Sequence, residues 1–199
     1  MLLEIILAFL IGSIPTGYLL NKYFGHGDIR KVGSGNIGAT NVLRHSGKLL
    51  GFLTLLIDIG KGFLAVYLLF YLKLIELVSF VWNDISIISS SVVLGHIFSP
   101  WLKFKGGKGV ATMFGVILYL GTGYINIFLI TIFSWLVIVF FTRYVALGSI
   151  ISLMVATIYS FFYIPDLFLF FILMTLLITY RHKDNFERIR NKTEHKISF

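Results

Sequence analysis

Long apolar runs constrain this chain more than any other feature. Residues 2 to 20, 49 to 72, 85 to 102, 110 to 142 and 144 to 180 are almost wholly apolar, and the segments between them hold most of the charge. Runs of about 18 or more such residues read as bilayer spans. Composition agrees, because 57% hydrophobic and 13% charged residues leave too little polar surface for a water-exposed domain. Cys is absent, which removes thiol nucleophiles, Cys-ligated zinc and c-type haem. The first run opens with Glu4 instead of a basic segment and has no small-x-small site before Lys22. It is therefore expected to be an uncleaved first span and not a signal peptide.

The last two runs are too long to cross once. Residues 110 to 142 as one helix would reach roughly 50 Å against a hydrocarbon core of about 30 Å. Gly121, Thr122 and Gly123 break that run, and Ile164, Pro165 and Asp166 break the next. The expected fold is an all-α polytopic integral membrane protein with seven transmembrane helices, the one near 110 to 121 being short. Charge tests this count, since an error of one span moves every later loop to the opposite face. With seven spans, Lys22, Arg30, Lys31, Arg44, Lys48, Lys103, Lys105, Lys108, Arg143, Arg181, Lys183, Arg188, Arg190, Lys192 and Lys196 share one side, all but two of the 17 basic residues. The other side receives Lys73 with Glu4, Glu76, Asp84 and Asp166. This places the N-terminus outside and the C-terminus in the cytoplasm, with residues 1–199 as a single membrane-embedded domain. Inside the second span, Asp58 and Lys61 share a helical face at three-residue spacing, so they are expected to pair or to line a wet cavity.

Three polar segments then face one compartment. Residues 33–44 offer three glycines, Ser34, Thr40, Asn36, Asn41 and Arg44. This is anion-cradle chemistry, in which glycines let backbone N–H groups converge on an oxyanion, hydroxyls add donors and a guanidinium grips phosphate or carboxylate. A capped interfacial loop fits the same residues. Residues 95–112 end in Gly106, Gly107, Lys108 and Gly109 just before an apolar helix, where free N–H groups, the helix dipole and a mobile cation favour phosphate. A Walker A loop is excluded, because Leu102 stands at its first Gly and Gly109 replaces its Ser or Thr. Lys103 and Lys105 serve orientation and lipid headgroups equally well, and His96 fits a hydrogen-bonded interfacial histidine as well as a base. In the tail, residues 180–196, His182 and Asn185 share a face if the segment is helical, and composition alone favours a solvated basic tail held against anionic lipid. No segment shows metal-ligand spacing, so the substrate is expected to be anionic and neutralised by Lys, Arg and backbone N–H, without a metal. The net charge of +8 serves orientation and anionic groups, and nucleic acid is set aside as a partner. A transporter of a phosphorylated anion stays open beside an enzyme.

Together the three segments resemble the bacterial membrane glycerol-3-phosphate acyltransferases that take the acyl group from acyl-phosphate. The resemblance rests on Ser-Gly-Asn-x-Gly-Ala-Thr-Asn-x-x-Arg at 34–44 and on Gly-His followed by Phe-Lys-Gly-Gly-Lys-Gly-Val-Ala-Thr within 95–112. Tyr-Arg-His-x-x-Asn at 180–185 and Glu-His at 194–195 complete it. Ser99 stands where the family usually carries Pro, with Pro100 next, and Ala146 replaces a common Ser. The resemblance implies an enzyme of the bacterial inner membrane, working at the cytoplasmic face without cofactor, that makes 1-acyl-glycerol-3-phosphate and inorganic phosphate. It implies Ser34, Arg44, Lys108, His182 and Asn185 as catalytic residues. Gly35, Asn36, Gly38, Thr40, Asn41, Lys105, Gly106, Gly107 and Gly109 are implied in binding substrate phosphate, with His96 and Glu194 as secondary candidates.

Overall fold

A computed structural model describes residues 2–75 and 82–197, with the backbone alone for 70–75, 82 and 83. Glu76 and the side chain of Lys73, both expected on the outer side, lie outside the described residues. All regular structure among the described residues is helical. The chain forms two compact units, Met1–Tyr119 and Leu120–Phe199.

In the first unit, the expected first span consists of α1 (Leu2–Ser13) and α2 (Thr16–Tyr23), bent by 42°. Pro15 causes the break, because it has no N–H to continue the ladder and its ring clashes with the preceding turn. A loop then leads to α3 (Ala39–Ser46), and Gly47, in the left-handed region at φ 93°, turns the chain into α4 (Lys48–Ile75). The unit continues with α5 (Trp82–Ile97), a short 3-10 turn at Pro100–Leu102 and α6 (Val110–Leu120). Helices approach closely where a glycine meets a carbonyl. A Cβ on Gly12 of α1 would fall on the Val92 carbonyl of α5, and one on Gly95 of α5 would fall on the Phe9 carbonyl of α1. Gly62 and Gly115 repeat this reciprocal fit between α4 and α6, against Thr112 and Ile59. Small residues at crossings let backbones pack where lipid tails supply no hydrophobic drive between helices.

The second unit holds α7 (Ile125–Thr142), α8 (Val145–Tyr163), α9 (Pro165–Tyr180) and α10 (Lys183–Arg190). The expected breaks fall at Gly121 to Gly123 and at Pro165. Arg143, left-handed at φ 60°, separates α7 from α8. The hydroxyls of Thr157 and Thr175 meet at 2.9 Å between α8 and α9, satisfying each other inside an apolar pair.

Among the described residues, four helices are long and apolar enough to cross a membrane, and counting each bent pair (α1 with α2, α9 with α10) as one span gives six. The 11-residue α6 is apolar but extends only about 16 Å. The most hydropathic of these four, α7, is only 17% buried and turns Phe133, Phe140 and Phe141 outward. Such a surface suits lipid and not water. The protein is a multi-pass membrane protein.

Candidate functional site

Two of the three polar segments lie in the first unit. Asp28 starts the first by accepting from the Arg30 amide at 3.0 Å and pairing with the Arg30 guanidinium at 2.7 Å, and Arg30 stacks 4.8 Å over Tyr18. The guanidinium pulls the Asp28 carboxyl down to about 2, and the carboxylate raises the Arg30 pKa. Asn41, 3% exposed, then organises the whole loop. Its Oδ1 accepts from the Ser34 amide at 3.1 Å, while its Nδ2 is directed at the carbonyls of Ile29 (3.2 Å), Val32 (3.1 Å) and Asn36 (2.9 Å). Gly33 and Gly35 take φ 57° and 68°, and a Cβ on Gly33 would collide with Asn41 Oδ1 and His45 Nε2. Gly38 caps α3, and Thr40 and Arg44 follow one turn apart on one helical face. Ser34 and Arg44 are exposed at this surface, with Asn36, Gly38 and Thr40 half-buried.

The second segment is held by backbone. The Gly106 amide donates to the Ile97 carbonyl and the Gly107 amide to the His96 carbonyl, each at 3.0 Å, while Phe104 donates to Ser99 at 2.9 Å. Lys103 and Phe104 are left-handed at φ 54° and 61°. Gly107 lies directly on the imidazole of His96, where a Cβ would meet Nε2, and Gly109 takes φ 88° before α6 begins. His96 is therefore a buried floor of the turn, 4% exposed. Lys105 is exposed and Lys108 half-buried.

The structure brings these two segments together. Ile29, Ile37 and Val42 of the first share one buried apolar cluster with Leu50 of α4 and Leu102 of the second. The break after α1 joins them again: Ser99 Oγ donates to the Ser13 carbonyl at 2.6 Å, Trp101 Nε1 donates to Ser13 Oγ at 2.8 Å, and Gly17 rests on the Ile37 carbonyl. Ser99, the departure from the family pattern, thus supplies a specific bond. Sequence reasoning missed both this junction and the scaffold role of Asn41. Asp58 and Lys61 pair as expected, at 2.8 Å.

The third segment lies in the second unit as a short helix and a hydrogen-bonded return, with Lys183, Arg190 and Lys192 exposed. His182 Nδ1–H donates to the Ile178 carbonyl at 2.7 Å, which places the lone pair of the neutral ring on Nε2. Asn185 Nδ2 donates to Glu194 at 2.9 Å, and Arg188 pairs with the same carboxylate at 2.6 Å. The chain after α10 folds back to make this brace, and its Ile197 amide donates to the Arg143 carbonyl at 2.9 Å. No group of three His, Asp or Glu that could hold a metal ion occurs among the described residues.

The fold and site define a multi-pass membrane protein, helical among the described residues, whose first unit presents Arg44 and Lys108 beside two hydrogen-bonded polar segments. Residues 2–192 match the family model of glycerol-3-phosphate acyltransferase, and the chain belongs to that family. It is 45% identical over 192 residues to glycerol-3-phosphate acyltransferase of Pelagibacter ubique, covering 95% of this chain and 93% of the relative. Its fold matches the crystal structure of PlsY, an integral membrane glycerol 3-phosphate acyltransferase, in the glycerol 3-phosphate form. The TM-score is 0.87 and the identity 36%, over 99% of this chain and 95% of that one. The lysophosphatidic acid form of PlsY matches with a TM-score of 0.83 at 35% identity and the same coverage.

Proposed function

We propose that this protein transfers an acyl group from acyl-phosphate to glycerol-3-phosphate, giving 1-acyl-glycerol-3-phosphate and inorganic phosphate, at the cytoplasmic face of a bacterial inner membrane. The carrying observation is that a chain matched to the acyltransferase family over 2–192 builds its first two polar segments as one preorganised surface on a shared apolar cluster. Family membership favours this over transport of a phosphorylated anion. In this reading the chain crosses seven times, α6 being the short crossing, with its N-terminus outside and its C-terminus in the cytoplasm, and residues 1–199 act as one functional domain.

The glycerol hydroxyl attacks the acyl carbonyl of a mixed anhydride. The carbonyl carbon gains the new ester oxygen, the bond to the phosphate oxygen breaks, phosphate leaves with the electron pair, and the hydroxyl proton passes to His182 or to a substrate phosphate. No covalent enzyme intermediate is needed. Ser34, Asn36, Thr40, Arg44 and the backbone around Gly35 and Gly38 hold one phosphate, while Lys108, with Lys105 beside it and Gly109 behind, neutralises the other. Gly106, Gly107 and Asn41 give these groups their shape, since their amides are bonded inside the loops. Preorganised donors of this kind contribute about 10² to 10³ in rate. His182 and Asn185 orient the acceptor, with Glu194 bracing Asn185. Lys and Arg carry the charge neutralisation without metal or cofactor.

The test is a donor competition with purified protein in lipid. Acyl-phosphate with glycerol-3-phosphate is expected to give lysophosphatidate in the presence of EDTA, and acyl-CoA is expected to give none. Equal use of acyl-CoA, or activity that EDTA abolishes and Mg²⁺ restores, would sink the corresponding part of the reading.

A further inference from the structure

Within α4, Asp58 and Lys61 are buried, with side chains 2% and 5% exposed. A neutral pair of similar size would fill the same volume without desolvating charge, so their contacts need an account. Lys61 Nζ does more than meet Asp58. It donates at 2.9 Å to the carbonyl of Ile14, 47 residues away in sequence. That carbonyl stands at Pro15, just past the end of α1, where it also accepts from the Thr16 amide at 3.0 Å. Ser99 Oγ takes the adjacent Ser13 carbonyl, and Gly17, at the far side of the break, abuts the Ile37 carbonyl of the first loop. Asp58 Oδ1 also lies 3.8 Å from His96 Nδ1, and the opposite edge of that imidazole lies under Gly107, the neighbour of Lys108.

We propose that Lys61, paired with Asp58, is a positioning residue: it grips residues 13–17 and so fixes the register of the Gly-Gly-Lys-Gly turn against the first loop. One arm runs from Asp58 through Lys61 to Ile14, and the other through His96 to Gly107. Neither residue touches substrate in this role. The proposal rests on the acyltransfer reading only for its kinetic readout.

The experiment uses the full chain in lipid and the double variant D58N/K61M, which removes both charges together, so no uncompensated buried charge remains. A pair that merely neutralises itself predicts wild-type behaviour. The strut predicts normal insertion, a kcat lowered about tenfold with KM for glycerol-3-phosphate nearly unchanged, and hydrogen exchange over residues 104–109 faster by about tenfold. Wild-type kcat and wild-type exchange in the double variant would overturn it. Should that variant fail to insert, Ser99→Ala deletes only the hydroxyl bond to Ser13. Faster exchange over 104–109 is then expected, and unchanged exchange overturns the strut. If the wild-type chain shows no acyl-phosphate activity, the acyltransfer reading fails while the exchange measurement still decides the strut.

Discussion

The two loops of the first unit are held by different means. The loop at 33–44 is held by one side chain, with Asn41 facing four backbone groups. The turn at 106–109 is held by backbone bonds to His96 and Ile97 and by a glycine pressed on a ring. A side-chain scaffold fails when its polar atoms are removed, whereas a backbone scaffold fails when volume is added. Each therefore has its own kind of damaging substitution.

Gly107→Ala is expected to do the most harm, because its Cβ would land on His96 and displace the turn beside Lys108. A displacement near 1 Å costs about 10² in rate, so turnover should fall by that order while insertion, followed by protease protection, stays normal. Arg44→Ala and Lys108→Ala remove one cation from each loop and should each lower turnover about tenfold or more. Near-wild-type rates in both would move the site elsewhere. Asn41→Ala leaves several groups without their partner and is expected to cost about 1–3 kcal/mol in thermal stability, with activity falling in parallel. Asn41→Ala with wild-type melting would show that the loop is held by its glycines instead.

The smallest effect concerns the entrance to the first loop. The Asp28 pKa drops from 3.8 to about 2 on folding, so its pairing with Arg30 stabilises the protein above the higher value and is lost as pH falls between them. The pair is partly exposed, at 23% and 38%, and is screened. Asp28→Asn should therefore cost only about 0.2–1 kcal/mol, measured as a melting shift at pH 6 that disappears near pH 2 and shrinks in high salt.

Much of the fold was legible because its signals are local. Proline and glycine carry their backbone consequences within their own residue, which is why the breaks at Gly121 to Gly123 and at Pro165 fall as expected. The pairing of Asp58 with Lys61 follows from helical periodicity, which brings residues three apart to one face. Pro15 carries the same local signal inside the apolar run of residues 2 to 20, and the chain bends there. What periodicity does not report is contact across distance. Ser99 to Ser13 spans 86 residues and Trp101 to Ser13 spans 88, and neither residue type announces its partner. The tail shows a related limit. Its composition suits a solvated segment, whereas the bonds that hold it, from Asn185 and Arg188 to Glu194 and from Ile197 to Arg143, join residues whose types do not announce each other.

The bonds at the end of α1 also set a timetable for biogenesis. The Ser13 carbonyl waits for a hydroxyl 86 residues downstream, and the Ile14 carbonyl, bonded locally by the Thr16 amide, gains an amine 47 residues downstream. At synthesis rates of about 5–20 residues per second, Ser99 leaves the ribosome roughly 4 to 17 s after Ser13. The earliest segment translated is thus completed only when the chain is half made, and the Ser13 carbonyl goes without this hydroxyl until then.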